Sequence, residues 1–295
     1  MKTRIVAAGV AALLFAVIVE AAPSGGWLGL RAGSTALPPG SRVERALHYG
    51  RDDAQVLDVY IPPAARQAPI LFLVHGGGWR RGGRDNPGLA QPKAAHWLPK
   101  GYLLVSVDYR LLPEAGPLQQ ADDVAQALAW VQRRAQAWGG DPNRVVLMGH
   151  SAGAHLVALL GSDVQRLATA GATRPLGVVA LDSAVMNVPE MMQAPRHLGL
   201  YDDAFGRNPD DWQRASPYHH LGSASLPMLA VCSSRRVDSC PQARALSQRA
   251  ATLGVAIDVL PEDLSHMQIN RELGEASAYT AAVDRYLDTL LARAR

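Results

Sequence analysis

Gly149-His150-Ser151-Ala152-Gly153 has G-x-S-x-G spacing, and its setting gives that spacing meaning. Arg144–Met148, just before it, is apolar enough for a strand buried on both faces. Ala154–Leu160, just after it, continues as a helix. A strand–turn–helix this tight lifts a serine hydroxyl on a strained backbone and accepts only small neighbours, which Gly149 and Gly153 supply. The helix starting behind Ser151 turns its positive dipole end toward the same place. These residues predict Ser151 as a nucleophile. A second glycine run, His75-Gly76-Gly77-Gly78-Trp79, follows the apolar stretch Ile70–Val74. Consecutive glycines let backbone N–H groups face a cavity where negative charge develops on a reacting oxygen. No Gly-Lys-Ser/Thr follows, as a phosphate loop requires. Gly77, Gly78 and Ala152, the residue after the serine, are therefore the expected oxyanion-hole donors.

A serine hydroxyl needs a base. Of the nine histidines, His75 and His150 lie inside the two motifs, and His155 sits on the helix after the serine. His219 and His220 fall in a long irregular segment, while His48, His96 and His197 have no supporting context. His266 follows the last apolar strand and precedes the last helix, so it is the expected base. The imidazole needs an acid, and the chain order Ser, Asp/Glu, His leaves two main candidates. Asp238, just past the strand Met228–Cys232, is the preferred acid. Asp182, at the end of the preceding strand, is its rival. Glu262 and Asp263 share the loop of His266 and offer a poorer angle. No CxxC or HExxH spacing suggests a metal site.

The elements that must position these groups alternate. Val43–Tyr49, Gln55–Ile61, Ile70–Val74, Tyr102–Val107, Arg144–Met148, Gly177–Leu181, Met228–Cys232 and Ala256–Leu260 read as strands, the first two joined by a turn at Gly50–Asp53. Pro92–Leu98, Leu118–Trp138, Ala154–Leu160, Gln242–Leu253 and about Ala276–Ala294 read as helices, with Gly139-Gly140-Asp141-Pro142 as a stop. Strands alternating with helices imply a mainly parallel sheet covered on both faces. Segment 183–226 is long and irregular and carries Met186, Met191 and Met192, which suggests a lid-like insertion.

The 295 residues, 48% apolar and 19% charged, suit one large α/β domain rather than a disordered chain. The net charge is +3. With its arginines scattered, the chain reads as having a solvated basic surface and no nucleic-acid partner. At the N-terminus, Lys2 and Arg4 precede a 15-residue apolar run, Ile5–Val19, followed by Ala21, Ala22 and Pro23. That order reads as a secretory signal peptide, 1–21, too short to span a bilayer at ~20 residues. A lead-in, 22–42, and a domain, 43–295, would follow. Such a chain is expected to be secreted or periplasmic, with no stable membrane span once the signal is removed. In an oxidising compartment Cys232 and Cys240, eight positions apart, are expected to pair.

Several stretches together resemble the bacterial α/β-hydrolase carboxylesterases. They are the HGGGW run, Val107-Asp108-Tyr109-Arg110 with Pro113-Glu114, Gly140-Asp141-Pro142, and Gly149–Leu156. The branch resembled is the one around acetyl esterases, feruloyl-esterase-like domains and kynurenine formamidase, related to hormone-sensitive-lipase-like esterases. The resemblance spans about residues 43–292. It implies a central eight-stranded sheet, no metal or organic cofactor, and hydrolysis of small carboxylic esters or related amides. It also carries the triad roles to Ser151, Asp238 and His266, and the oxyanion roles to Gly77, Gly78 and Ala152. Two departures from the pattern are expected: the 22–42 lead-in is too short for a helical cap before the first strand, and the loop Ser233–Cys240 lacks the usual Gly-x-x-Asp form.

Overall fold

The structure is a computed structural model, and it describes residues 37–86 and 88–294. The expected signal segment and most of the lead-in lie outside the described residues. Eight strands form one sheet: β1 (Arg42–His48), β2 (Val56–Ile61), β3 (Ala68–Val74), β4 (Leu103–Val107), β5 (Gly140–His150), β6 (Gly177–Leu181), β7 (Met228–Ser233) and β8 (Ile257–Glu262). Their order is β1-β2-β4-β3-β5-β6-β7-β8. Only the pairings β1 with β2 and β2 with β4 are antiparallel; β4 through β8 run parallel. The eight strands expected from the apolar runs are these eight.

Why the central strands read as unbroken apolar runs is plain from the two layers they separate. Ile70, Phe72 and Val74 of β3, with Val145 and Leu147 of β5, face one core. Leu71, Leu73, Val146 and Met148 face the other. The first core is closed by α2 (Pro117–Arg134), α3 (Ala152–Ser162) and α9 (Ser239–Thr252). The second is closed by α1 (Ala90–Trp97), α10 (His266–Arg271) and α11 (Ala278–Arg293), through Ala94, Trp97, Ile269, Val283 and Leu287.

Two boundaries differ from the sequence reading. The helix expected to run to Trp138 is α-helical to Arg134 and ends in a 3-10 turn, Ala135–Trp138. Gly139 then stops it in a left-handed conformation, φ 78°. Strand β5 begins four residues early because Gly140 pairs with Ala68 before the register shifts. A third difference is larger. Segment 183–226 is not irregular but folds into α5 (Val188–Gln193), α6 (Gly199–Phe205), α7 (Pro209–Arg214) and α8 (Pro217–His220). Pro189, Pro209 and Pro217 occupy first turns, where a missing N–H costs nothing. Helices of four to seven residues are too short to show a 3.6-residue period. For the same reason α4 (Val164–Thr169) was not expected.

Phe72 pairs in register with Val105 on one side and Leu147 on the other and is fully buried. Phe72→Ala is expected to lower unfolding free energy by about 3–5 kcal/mol, through lost transfer energy plus the cavity left behind. Urea unfolding measures it; a loss below about 1 kcal/mol would mean that this layer does not carry the sheet.

Candidate active site

Because β3 and β5 through β8 are parallel, the loops at their carboxyl ends meet along one edge. That edge supplies every candidate group. Ser151 follows β5 with φ 57° and ψ −118°, a strained turn for a residue with a Cβ. Its N–H is held by Leu181 O of β6 at 2.9 Å. Gly153 lets α3 lie against β3, since a Cβ there would come within 2.3 Å of Val74 O and 2.4 Å of His75 O. Ser151 Oγ is 3.0 Å from His266 Nε2.

His266 is the first residue of α10. Ser265 caps that helix through a reciprocal box with Gln268. The spacing Ser265-x-x-Gln268 is legible in the sequence, and it was the missed signal for a helix here. On its other side, His266 Nδ1 lies 2.6 Å from Asp182 Oδ2. The acid brought to the imidazole is therefore Asp182, which corrects the preference for Asp238. Asp238 sits at the N-terminal boundary of α9 without a side-chain cap and turns its carboxylate to Arg236, whose Nη2 donates to Oδ2 at 3.2 Å while Nε lies 3.1 Å from Oδ1 as an ion pair. Asp182 takes a left-handed φ of 56° at the end of β6, which aims its carboxylate across β7 toward the loop after β8.

The Asp182 side chain has no exposed surface. Burial by itself opposes its ionisation. Hydrogen bonds from His266 and Ser239 Oγ, from Ser233 N–H at 2.7 Å, and the charge of Arg236 at 3.0 Å more than offset it, holding the carboxyl well below the ordinary range. The cysteine pair lies beside these donors. Cys232 and Cys240 are placed as a disulfide, Cα atoms 5.1 Å apart, and close the segment that contains Ser233, Arg236 and Ser239.

The site opens into a cavity of about 590 Å³ lined by Gly77, Gly78, Ala152, Ser151 and His266 among others. Ala152 is the first residue of α3, where a backbone N–H has no intrahelical acceptor. Gly77 has φ 129°, and a Cβ there would meet Arg81 O at 1.9 Å. Beside Gly78, Trp79 carries the chain away with φ 59° and anchors the loop. Its Nε1 donates to His155 Nδ1 at 3.3 Å, and His155 Nε2 donates to Ala215 O at 2.7 Å. An indole only donates, so His155 is neutral with its proton on Nε2. Phe205 and Tyr201 of α6 pack edge-on against Trp79. The exposed Leu198, Leu200 and Met267 line the cavity mouth.

The motif histidines hold structure. His75 stacks on Tyr109 at 4.3 Å and contacts Gly76 O at 2.8 Å. His150 Nε2 donates to His266 O at 2.8 Å, and its ring lies 4.5 Å from that of His266. Burial pushes His150 down to about 3 and His155 down to about 4. Lys93, fully buried behind the site, donates to Asn270 O at 2.7 Å and Asn270 Oδ1 at 3.0 Å; burial pulls its ammonium down to about 7. Among the described residues no group of three His, Cys, Asp or Glu side chains is arranged to hold a metal ion, and no helix is long and apolar enough to cross a membrane.

Comparison with known proteins places this geometry. The BD-FAE family model matches residues 57–236. Esterase LipC of Mycobacterium tuberculosis is 31% identical over 222 residues, 70% of this chain and 54% of that protein. Carboxylesterase NlhH of the same organism is 41% identical over 128 residues, 42% of this chain and 39% of that protein. The chain thus spans about half, or less, of the length of these curated relatives. Among solved structures, inhibited esterase B from Lactobacillus rhamnosis aligns with TM-score 0.68 and 20% identity, covering 88% of this chain and 90% of that one. Thermogutta terrifontis esterase 2, phosphoramylated by tabun, aligns with TM-score 0.67 and 22% identity, covering 86% and 94%. Both likenesses show the α/β-hydrolase fold.

The buried neutral histidines give stability a pH dependence. Their folded pKa values lie below the ordinary 6.5, so the unfolded chain takes up protons first as pH falls. The stabilisation from keeping His150 and His155 neutral is complete above about pH 6.5 and is lost as pH falls toward 4 and 3. Urea unfolding at pH 7.5 and 5 should show the loss, with a shallower dependence in His155→Gln. Equal stability at both values would contradict it.

Proposed function

Starting from a chain that belongs to the BD-FAE family, we propose that this protein is a serine hydrolase that cleaves small carboxylic esters through an acyl-enzyme on Ser151. One observation carries the reading: Ser151 Oγ, the two ring nitrogens of His266 and Asp182 Oδ2 form one continuous line, at 3.0 and 2.6 Å, beside an accessible cavity. The activities for which the relatives are named, esterase and carboxylesterase, support it.

His266 Nε2 takes the hydroxyl proton as Ser151 Oγ bonds to the acyl carbon, and the carbonyl electron pair moves onto oxygen. The N–H groups of Gly77, Gly78 and Ala152 receive that oxyanion. The imidazolium is stabilised by Asp182 and gives its proton to the departing alcohol as the C–O bond breaks. Water then loses a proton to His266 and attacks the acyl-enzyme; collapse returns the proton to Ser151 Oγ and releases the acid. Asp182 stays ionised throughout because its donors hold it so. The apolar rim of Leu198, Leu200 and Met267 suits an uncharged acyl or alcohol chain.

We also propose that the chain is exported, with residues 1–21 as its signal. The cysteine pair at the site supports this, since bridges persist in oxidising compartments.

Two measurements test the hydrolase reading. A p-nitrophenyl ester series of increasing acyl length, run beside aryl formamides, should give turnover on short-chain esters. Ser151→Ala should retain less than about 1% of it and lose fluorophosphonate labelling while staying folded. Labelling at another serine, or turnover confined to the formamides, would overturn the assignment. For the acid, Asp182→Asn should lower kcat by roughly 10²–10⁴ with KM little changed, while Asp238→Asn should cost less than about tenfold. The opposite ranking would return the acid to the loop after β7.

A further inference from the structure

A Ser–His–Asp line does not require an arginine beside it, yet Arg236 is there. Its Nη1 donates to Asp182 Oδ2 at 3.0 Å, the same oxygen that accepts from His266 Nδ1, and lies 3.0 Å from Nδ1 itself. Guanidinium has donors only. The Nη1–Nδ1 approach is therefore donor against donor, tolerable beside a neutral ring and repulsive beside an imidazolium. Asp238 pairs with the far side of the guanidinium: Nη2 donates to its Oδ2 at 3.2 Å, and Nε lies 3.1 Å from Oδ1 as an ion pair. The Arg236 side chain is 22% exposed and lines the cavity.

Resting on the acyl-enzyme reading above, we infer that Arg236, paired with Asp238, is a positioning residue: it orients the Asp182 carboxylate and sets how readily the Asp182–His266 pair takes up a proton. Asp238, although it does not reach His266, acts on the same pair through Arg236. Its negative charge moderates the cation it holds.

Other groups near the pair do not supply this control. His150, from the end of β5, is kept neutral by burial. Tyr201 of α6 lies against Arg236, and burial raises its hydroxyl pKa, which keeps it uncharged. Glu262 closes β8, where burial raises its carboxyl. Arg235 spends its charge on Asp263 at 2.8 Å. Glu272, at the end of α10, takes the Gln268 amide at 2.9 Å. Lys93 stands behind His150 and is common to every variant below, so its titration cancels in the comparison.

The test is the pH profile of kcat/KM on a p-nitrophenyl ester, with the imidazole titration of His266 followed in parallel by NMR of the free protein. Removing the cation in Arg236→Gln should raise the midpoint of the acid limb by about one pH unit, because proton uptake by the pair is no longer opposed. It should also lower kcat more than it raises KM. Arg236→Lys keeps the charge but not the fork, so its midpoint should stay near that of the wild type with kcat partly kept. Asp238→Asn leaves the cation unmoderated and should move the midpoint down. If Arg236→Gln does not fold, the downward shift in Asp238→Asn still decides the matter. Unchanged midpoints in both variants, or a rise in KM alone, would overturn the inference and leave Arg236 as packing or as a substrate contact. Wild-type ester turnover and Ser151 labelling, in the same series, test the underlying reading separately, while the NMR titration does not depend on turnover.

Discussion

A carboxylate with no exposed surface has to find all its hydrogen-bond donors inside the protein, and Asp182 draws them from separate parts of the chain. Ser233 comes from the end of β7, Arg236 from the loop beyond it, Ser239 from the start of α9, and His266 from the start of α10. Such donors converge only if the strands delivering them end at the same level, which the parallel register from β5 to β8 provides. Withdrawing one donor leaves a buried charge short of a partner, which costs far more than the lost bond itself. The Cys232–Cys240 pair spans the stretch that holds three of the four donors, and so restricts the segment whose drift would matter most.

Strain collects at the same edge. Ser151, Asp182 and Trp79 all have φ between 56° and 59°. Each such conformation costs of order 1–3 kcal/mol and persists only where the surroundings determine it. Here the surroundings are rungs of the sheet: Ser151 N–H on Leu181 O, and Asp182 N–H on Val231 O at 2.8 Å. Nucleophile and acid therefore sit on adjacent strands, with the spacing of a sheet ladder between them. Only His266 has to be brought in from elsewhere, and the capping box at Ser265 and the contact from His150 fix where it arrives.

Much of this is legible in the amino-acid sequence. The eight apolar runs are the eight strands, since strands buried on both faces have no polar alternation to blur them. The G-x-S-x-G turn and the position of His266 followed from strand and helix boundaries. The acid did not. Asp182 and Asp238 both lie just beyond apolar strands, and sequence position alone does not say which carboxylate points across the sheet. The decision rests on the left-handed φ at Asp182, a conformation unusual for a residue with a side chain and silent in the sequence. Arg236 was hidden for a related reason: its neighbour Asp238 offered a simpler role for the loop. The short helices of 183–226 escaped because their evidence is local, a proline in the first turn or a capping Asn208, and lies below the length at which periodicity speaks.

The place of β8 in the sheet order carries a further consequence. Among the described residues it is an edge strand, paired only with β7, and several of its residues are partly exposed. The histidine hangs from its end, whereas Ser151 and Asp182 hang from interior strands. Proteins open in cooperative pieces, and pieces with few buried apolar contacts and exposed backbone hydrogen bonds open at the lowest free-energy cost. A partial opening of β8 and α10 would carry off the base while leaving serine and carboxylate in register. The amides of β8 would then exchange with solvent ahead of those of β5, and thermal inactivation would be the reversible detachment of one piece, below the temperature at which the sheet melts.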